Sequence, residues 1–342
     1  MYREFCWIRF GVSVELLNAE TVIPYLLNRG IITNTEGLIV EELSGGVSNV
    51  VLAVQNSQVD LVLKQALAEL KVQTKWVADQ RRAIVEANAV RLFHSISPKQ
   101  VPRLIDSDPD LFTLVIERAP HTSKVWKTEL LSGRINPRIG FELGKTLASW
   151  HNFGEGNKSV QVQFSEDSLF DQLRIDPFYR EIRAKNPELF QEISSLITEL
   201  QEDKSTIVHG DFSPKNFLVN NDKDVYILDF EVTHFGNPIF DQAFTLAHLL
   251  CKFFRTNSQV EEGALRETAA QFITGYETLR KPTSLTSLAG HTAALALARV
   301  EGKSRVDYLA LEAQDQIKQR TKSALANLAE IHPLDLYNKE FL

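Results

Sequence analysis

Between residues 208 and 219 the chain reads VHGDFSPKNFLV, which packs His209, Asp211 and Asn216 into eight residues. After a β-type run, the segment YILDFE delivers Asp229 and Glu231. These polar residues fall at loop positions flanked by apolar strands, which fixes the backbone while leaving the side chains to a cleft. Asp211 and Asn216 lie five residues apart with a proline between them, and Asp229 arrives from a separate strand. A carboxylate and an amide oxygen converging from two segments make a hard, all-oxygen site of the kind magnesium takes when it is shared with phosphates. Asp211 is then free to orient a hydroxyl and accept its proton. Aspartate and asparagine also form turns, and Asp229 has a second reading as a turn cap. The ordered set H-G-D-x-x-x-x-N followed by D-F-E favours the chemical reading. No serine or cysteine has an evident base at a recognisable spacing, so covalent catalysis finds no support.

The elements that must position these residues fall into two groups. Residues 18 to 30 read as a short helix with Asn18 as cap and Gly30 as stop. Three runs rich in branched aliphatics follow, at 37–43, 49–54 and 59–64, separated by the turn-type segments SGGVS and QNSQ. Lys64 closes the third run. Taken alone it is either an edge residue with its amine in water or an amine placed to hold an anion. Apolar residues at Ile84, Val85, Ala87, Val90 and Phe93 predict a helix over 81–96, with two more strands at 101–108 and 111–117. Beyond RAPHTSKVWK the pattern turns helical, at 137–153, 187–203, 241–254, 263–279, 289–300 and about 308–329, interrupted by one β-containing island at 206–231. The expected class is α+β, with a β-rich nucleotide-binding lobe over residues 1–117 and a helical lobe over 118–342 that carries the catalytic loop and the acceptor site.

Composition removes several function classes. The 342 residues are 44% hydrophobic and 24% charged, ordinary for a globular protein. A net charge of −7 provides no basic footprint for nucleic acid, and no lysine- and arginine-rich run reads an anionic membrane. Arg3, Glu4, Arg9 and Glu15 interrupt any leader-like apolar stretch, and no run approaches eighteen apolar residues. Cys6 and Cys251 stand far apart, which excludes a disulfide framework or a cysteine zinc site. A reducing cytoplasm is the simplest location. Monomer and homodimer both remain open.

HGDFSPKN with ILDFE resembles the signature of the aminoglycoside phosphotransferase and choline-kinase-like family, a branch of the protein-kinase-like fold. The resemblance implies a bilobal fold, ATP and Mg2+ as cofactors, and a small-molecule hydroxyl compound as acceptor. It implies Asp211 as catalytic base and Asn216 and Asp229 as metal ligands. A protein kinase proper would show H-R-D and D-F-G where this chain has Gly210 and Glu231. LSGGVSNVVLAV stands where the family places its phosphate-covering loop: Gly45 and Gly46 let the backbone approach phosphate oxygens, and Ser48 and Asn49 add short polar donors. Glu86 follows Lys64 by 22 residues, the family's arrangement for a phosphate-contacting lysine held by a helix glutamate. In LVIERAP, backbone groups around Glu117 to Ala119 are implied to bind adenine. Asp241 in FGNPIFDQA is read as a brace for the catalytic loop or a helix cap, and His151 as a packing or capping residue.

The run from Lys64 through Trp76, Asp79, Arg81, Arg82 and Glu86 is also similar to methylthioribose kinases, although SGGVSN and DFE stand where those enzymes have D-G-N and D-P-E. Arg299 and Lys303 offer either a site for an acidic or phosphorylated acceptor or a solvated helix end. The mixed charge of the last eighty residues does not favour a polycationic aminoglycoside. A nucleotide-binding pseudokinase with a regulatory role is the alternative. The joint presence of Lys64, Asp211, Asn216 and Asp229 argues against it.

Overall fold

The computed structural model describes residues 15–43, 48–69, 78–220, 224–282, 284–328 and 331–339. Gly45, Gly46 and Trp76 lie outside the described residues. The chain divides into two compact units: residues up to Ile84 together with Leu104–Arg118, and Val85–Arg103 together with Ala119 onward.

In the first unit, helix α1 (Val22–Asn28) begins where the Asn18 Oδ1 accepts from the Glu20 and Thr21 amides at 2.9 and 3.0 Å. It ends at Gly30, whose φ of +68° suits glycine. Strands β1 (Ile39–Glu42), β2 (Asn49–Gln55) and β3 (Asp60–Ala66) follow. After helix α2 (Arg82–Ile96) come β4 (Leu104–Asp108) and β5 (Thr113–Glu117). The five strands form one antiparallel sheet in the order β1-β2-β3-β5-β4. Because side chains alternate along a strand, Leu61 and Leu63 join Leu52, Val54 and Val115 in one cluster with Val22 and Leu26 of α1. Lys64, one residue out of phase, points to the other face.

The second unit continues with β6 (Lys124–Val125), α3 (Trp126–Leu131) and α4 (Pro137–Gly154). The short helices α5 (Lys158–Gln163), α6 (Ser168–Phe170) and α7 (Glu181–Lys185) precede α8 (Phe190–Glu202). Between α6 and α7 the backbone winds as a wide π-type helix, Asp171–Arg180, with Pro177 inside it. Strands β7 (Thr206–Val208), β8 (Phe217–Asn220), β9 (Asp224–Ile227) and β10 (His234–Gly236) make up the β island. β7 pairs with β10, and β8 lies between β6 and β9. Helices α9 (Ile239–Arg255), α10 (Gln259–Glu277), α11 (Leu285–Glu301) and α12 (Leu311–Ala326) complete the unit. The helices expected beyond residue 137 are all present, with ends shifted by a few residues. The π-type stretch had no expectation, since its winding breaks the 3.6-residue period that marks a helix in sequence. Helices α4 and α10 approach so closely that a Cβ on Gly144 would overlap the Phe272 carbonyl, and one on Gly275 the Phe141 carbonyl. This contact fixes α4, which carries His151 at its end.

No described helix is long and apolar enough to cross a membrane.

Candidate active site

In the first unit, β3 is a central strand: Lys64 pairs with Val51 of β2 on one side and Leu114 of β5 on the other. Lys64 is only 9% exposed, so its reading as an edge residue with its amine in water does not hold. Ser48 and Asn49 stand at the start of β2, where the Asn49 Nδ2 donates to Ser48 Oγ at 2.9 Å. Buried Arg82 braces the backbone there, donating to the carbonyls of Ser48 (2.5 Å) and Leu67 (2.6 Å). Glu117 closes β5 and is half-buried. Ala119, also half-buried, opens the main stretch of the second unit.

The second unit holds the loop between β7 and β8. Its first residues hang on Asp241, which lies in the first turn of α9 and is fully buried. The Asp241 Oδ2 accepts from the His209 amide at 2.7 Å, and its Oδ1 accepts from the Gly210 amide at 2.9 Å. Behind it, His151 Nε2 stands 3.5 Å from Asp241 Oδ2, and His151 Nδ1 lies 2.8 Å from the Tyr276 hydroxyl. Gly210 takes φ +78°, and a Cβ there would meet the Val232 carbonyl at 2.6 Å, so the turn requires glycine. The His209 Nδ1 accepts from the Asp211 amide at 3.1 Å, which puts the proton of the neutral ring on Nε2. The ring stacks parallel to Trp150 and packs edge-on to Phe212 and tilted against Phe230. His209 therefore shapes the loop.

Asn216 closes the loop. Its Nδ2 donates to the Asp211 carbonyl at 2.9 Å, and its own backbone carbonyl accepts from the Leu228 amide at 2.9 Å. The first bond leaves the oxygen end of the Asn216 side-chain amide as the end able to face a cation. The second ties the segment before Asp229 to the loop that carries Asp211. Asp229 adopts φ +70°, a left-handed conformation uncommon for a residue with a Cβ and often found at functional positions. Glu86, Asp229 and Glu231 each bring a carboxylate oxygen within 4.8 Å of the other two. Three like charges so close repel unless a cation lies among them, and the donors are all hard oxygens.

Two cations flank Asp211 that the sequence had not marked. Lys215 Nζ lies 2.8 Å from Asp211 Oδ2 and 3.9 Å from Asp229 Oδ2. Arg174, from the π-type stretch, places Nη2 3.2 Å from Asp211 Oδ2 and donates through Nε to the Gly210 carbonyl at 2.6 Å. Burial works to raise the Asp211 pKa, but Lys215 and Arg174 outweigh it and hold the carboxyl below its usual range. The Lys215 side chain is half-exposed, and the partial desolvation of its amine, which works to lower its pKa, is outweighed by Asp211 and Asp229, which raise it above the ordinary lysine range. Lys303 is taken up by a surface pair with Asp176 at 2.8 Å, both half-exposed. Arg299 is held against Phe178, its guanidinium 5.5 Å from the ring centre.

Burial also pushes His151, His209 and His248 below the normal imidazole range, and His234 down to about 4. A depressed histidine pKa means that the unfolded chain, titrating near 6.5, takes up protons first. The stability contributed is therefore complete above about pH 6.5 and is lost as pH falls toward 4. His234 alone accounts for about 2 kcal/mol by pH 5. The urea midpoint is expected to drop clearly between pH 8 and pH 5, and an unchanged midpoint would contradict the buried neutral imidazoles.

The profile of the phosphotransferase enzyme family matches residues 39–285. A methylthioribose kinase of Geobacillus sp. (strain WCH70) is 25% identical over 276 residues, covering 72% of this chain and 68% of that enzyme. A methylthioribose kinase of Bacillus cereus is 23% identical over 260 residues, with 68% and 66% covered. The chain thus spans about two thirds of the length of these curated relatives. Among solved structures, a choline kinase from Cryptosporidium parvum superposes with a TM-score of 0.57 at 14% identity, covering 94% of this chain and 100% of that one. An amicoumacin kinase solved with AMP-PNP, Ca2+ and amicoumacin gives 0.56 at 14% identity, covering 94% and 99%. These likenesses show the α+β, kinase-like bilobal fold expected from HGDFSPKN and DFE. The chain belongs to the phosphotransferase enzyme family and is a small-molecule kinase.

Proposed function

We propose that this protein transfers the γ-phosphoryl group of ATP, with Mg2+, to a hydroxyl of a small molecule, and that Asp211 is the base. The observation that carries the reading is the Asp211 carboxylate itself, ionised and fixed on a braced loop between Arg174 and Lys215. An acceptor hydroxyl donating to Asp211 would have its oxygen aimed for in-line attack. As the new O–P bond forms and the bridging P–O bond to ADP breaks, the hydroxyl proton passes to Asp211 and then to solvent. Lys215 and Arg174, held beside Asp211, would offset charge growing on the transferred group. Catalysis by positioning and electrostatics needs no covalent intermediate.

Asp229 and Asn216 are assigned to the metal, and Glu86 and Glu231 add carboxylates to the same set. These residues would hold a Mg2+ whose positive charge would offset that of the nucleotide phosphates. The Glu86 carboxylate, expected to hold Lys64, thus has a second duty. Gly45, Gly46, Ser48, Asn49 and Lys64 are assigned to the phosphates, and backbone groups around Glu117 to Ala119 to adenine. The relatives act on methylthioribose according to their names, and this makes methylthioribose the first neutral acceptor to try.

The test is ATP consumption with Mg2+ across sugars, amino alcohols, homoserine, aminoglycosides and anionic hydroxyl compounds, repeated with EDTA and with Asp229→Ala. Turnover with one class, abolished by both treatments, is the expected result. ATP binding with no turnover on any acceptor, and no slow Mg2+-dependent hydrolysis, would instead support a regulatory nucleotide-binding protein.

A further inference from the structure

A second group of cations lies one phenyl ring away from Asp211. Phe178 is shared: the Arg174 guanidinium that touches Asp211 is 6.0 Å from its ring centre, and Arg299 is 5.5 Å from the same ring. Beyond it, Lys252 of α9 is only 2% exposed. Its Nζ donates to the His248 carbonyl at 3.1 Å and lies 3.4 Å from the Tyr308 hydroxyl and 5.2 Å from the Tyr308 ring centre. Lys127 Nζ lies 5.5 Å from that ring centre as well.

Carboxylates are scarce at this place. Among the described residues, neither Lys252 nor Arg299 has an acidic oxygen within 4.0 Å. Among the described residues, Asp307 lies 3.8 Å from Lys127 and is itself 87% exposed, and Asp211 acts on Arg299 from farther away. Arg299 donates Nη1 to Ser304 Oγ at 3.1 Å, while its buried Nε has no acceptor among the described residues. The His248 Nε2 is likewise buried without a hydrogen-bond partner among these residues. Holding unpaired charges out of water is costly. The chain has 44 acidic residues against 37 lysines and arginines, so acids to compensate them are not lacking elsewhere. Burial, reinforced by Lys127 and Arg299, presses the Lys252 amine down to about 7 against a smaller opposing influence of Cys251. An anion bound beside it would restore the full charge.

We propose that Lys252, Arg299 and Lys127 form the subsite for a negatively charged group on the acceptor, so that the substrate is an anionic hydroxyl compound: a phosphate monoester or a hydroxy acid. The inference rests on the kinase reading, which assigns the acceptor hydroxyl to Asp211, one ring away. A polycation or a choline-like cation would be repelled here, and a neutral sugar would leave Lys252 and Arg299 without an acidic partner among the described residues.

The test uses the full chain saturated with ADP and Mg2+, so that the nucleotide site is filled. Inorganic phosphate is titrated by calorimetry into wild type, Lys252→Met, Arg299→Gln and Lys127→Met. Turnover is then compared between ribose and ribose 5-phosphate, and among glycerol, D-glycerate and glycerol 3-phosphate. Saturable phosphate binding, weakened about tenfold or more by at least two of the variants, is expected, since each removes a charged hydrogen-bond partner. The anionic acceptors should exceed their neutral partners in kcat/KM by about a hundredfold, and D-glycerate against glycerol 3-phosphate identifies which anion is taken. Lys127→Met, at a half-exposed position, keeps the test open if a buried variant fails to fold. Phosphate binding that is absent, or that no variant weakens, overturns the subsite. So does efficient turnover of methylthioribose with a KM indifferent to Arg299→Gln. Loss of ATP turnover on every acceptor would instead sink the kinase reading, while the calorimetry would still report on the cations by themselves.

Discussion

Asp211→Asn is expected to lower the rate of phosphoryl transfer by about a thousandfold while ATP binding changes by no more than a few-fold. A positioned base contributes about 10²- to 10⁴-fold, and at this site the carboxylate also sets the charge of its surroundings. Asparagine has nearly the same shape, and the backbone bonds that hold residue 211 do not involve its side chain: its amide donates to His209 Nδ1 and its carbonyl accepts from Asn216. The loop should therefore persist. What disappears is the negative charge between Lys215 and Arg174, together with the proposed acceptor for the substrate proton. Lys215 keeps Asp229 at 3.9 Å as a partner, whereas Arg174 keeps its bond to the Gly210 carbonyl but loses its carboxylate. A modest loss of stability, about 1–3 kcal/mol, should accompany the catalytic defect. Single-turnover transfer to a verified acceptor, alongside calorimetric binding of a non-hydrolysable ATP analogue, separates the two effects. Turnover within tenfold of wild type would show that Asp211 is not the base, whatever its neighbours suggest.

The sequence was most readable where chemistry is concentrated in a short stretch. HGDFSPKN and DFE brought Asp211, Asn216 and Asp229 into view because a fixed spacing and a strand on either side leave few other uses for those side chains. Lys64 became interpretable once a central strand could be distinguished from an edge, which needs the pairing with Val51 and Leu114 and not the strand alone. Lys215 was quoted within the signature yet carried no role, because a lysine after proline in a polar loop reads as solvated until its ammonium is seen against two aspartates. Arg174 could not be read at all. It comes from a π-wound segment broken by Pro177, where helical periodicity has no meaning, and it reaches Asp211 across 37 residues of chain. Lys252 left a legible trace: one lysine inside AFTLAHLLCKFF, a helix otherwise almost wholly apolar and buried. Such a residue is either tipped into water at an end or held for a purpose, and only burial decides between them. Arg299 and Lys303, equal in sequence, part company in the structure, the second neutralised at the surface and the first not.

Asp241→Ala is expected to cost about 2–5 kcal/mol of stability and to lower kcat by a hundredfold or more, although Asp241 touches no reacting atom. Its two oxygens accept from two consecutive buried amides, His209 and Gly210. Each amide left without an acceptor costs about 1–3 kcal/mol, and an Ala side chain supplies neither bond. Removing a buried anion recovers part of that cost, because His151 behind it is held neutral by burial and loses only a weak partner at 3.5 Å. The helix end matters too: Asp241 lies in the first turn of α9, where a negative charge is favourable. The catalytic effect is expected from geometry, since Asp241 anchors the amide of Gly210, which takes φ +78°, and Asp211 is the next residue. Asp241→Asn should fall between, because one amide oxygen can still accept one of the two N–H groups while the NH2 end faces the other. The discriminating readout is the split between constants: kcat should fall in the order wild type, Asp241→Asn, Asp241→Ala, while the KM for ATP stays within a few-fold. Urea unfolding should rank the three proteins in the same order. A folded Asp241→Ala protein with wild-type kcat would mean that the Thr233, Thr245 and Arg174 contacts to the carbonyls of His209, Phe212 and Gly210 suffice to hold the loop without it.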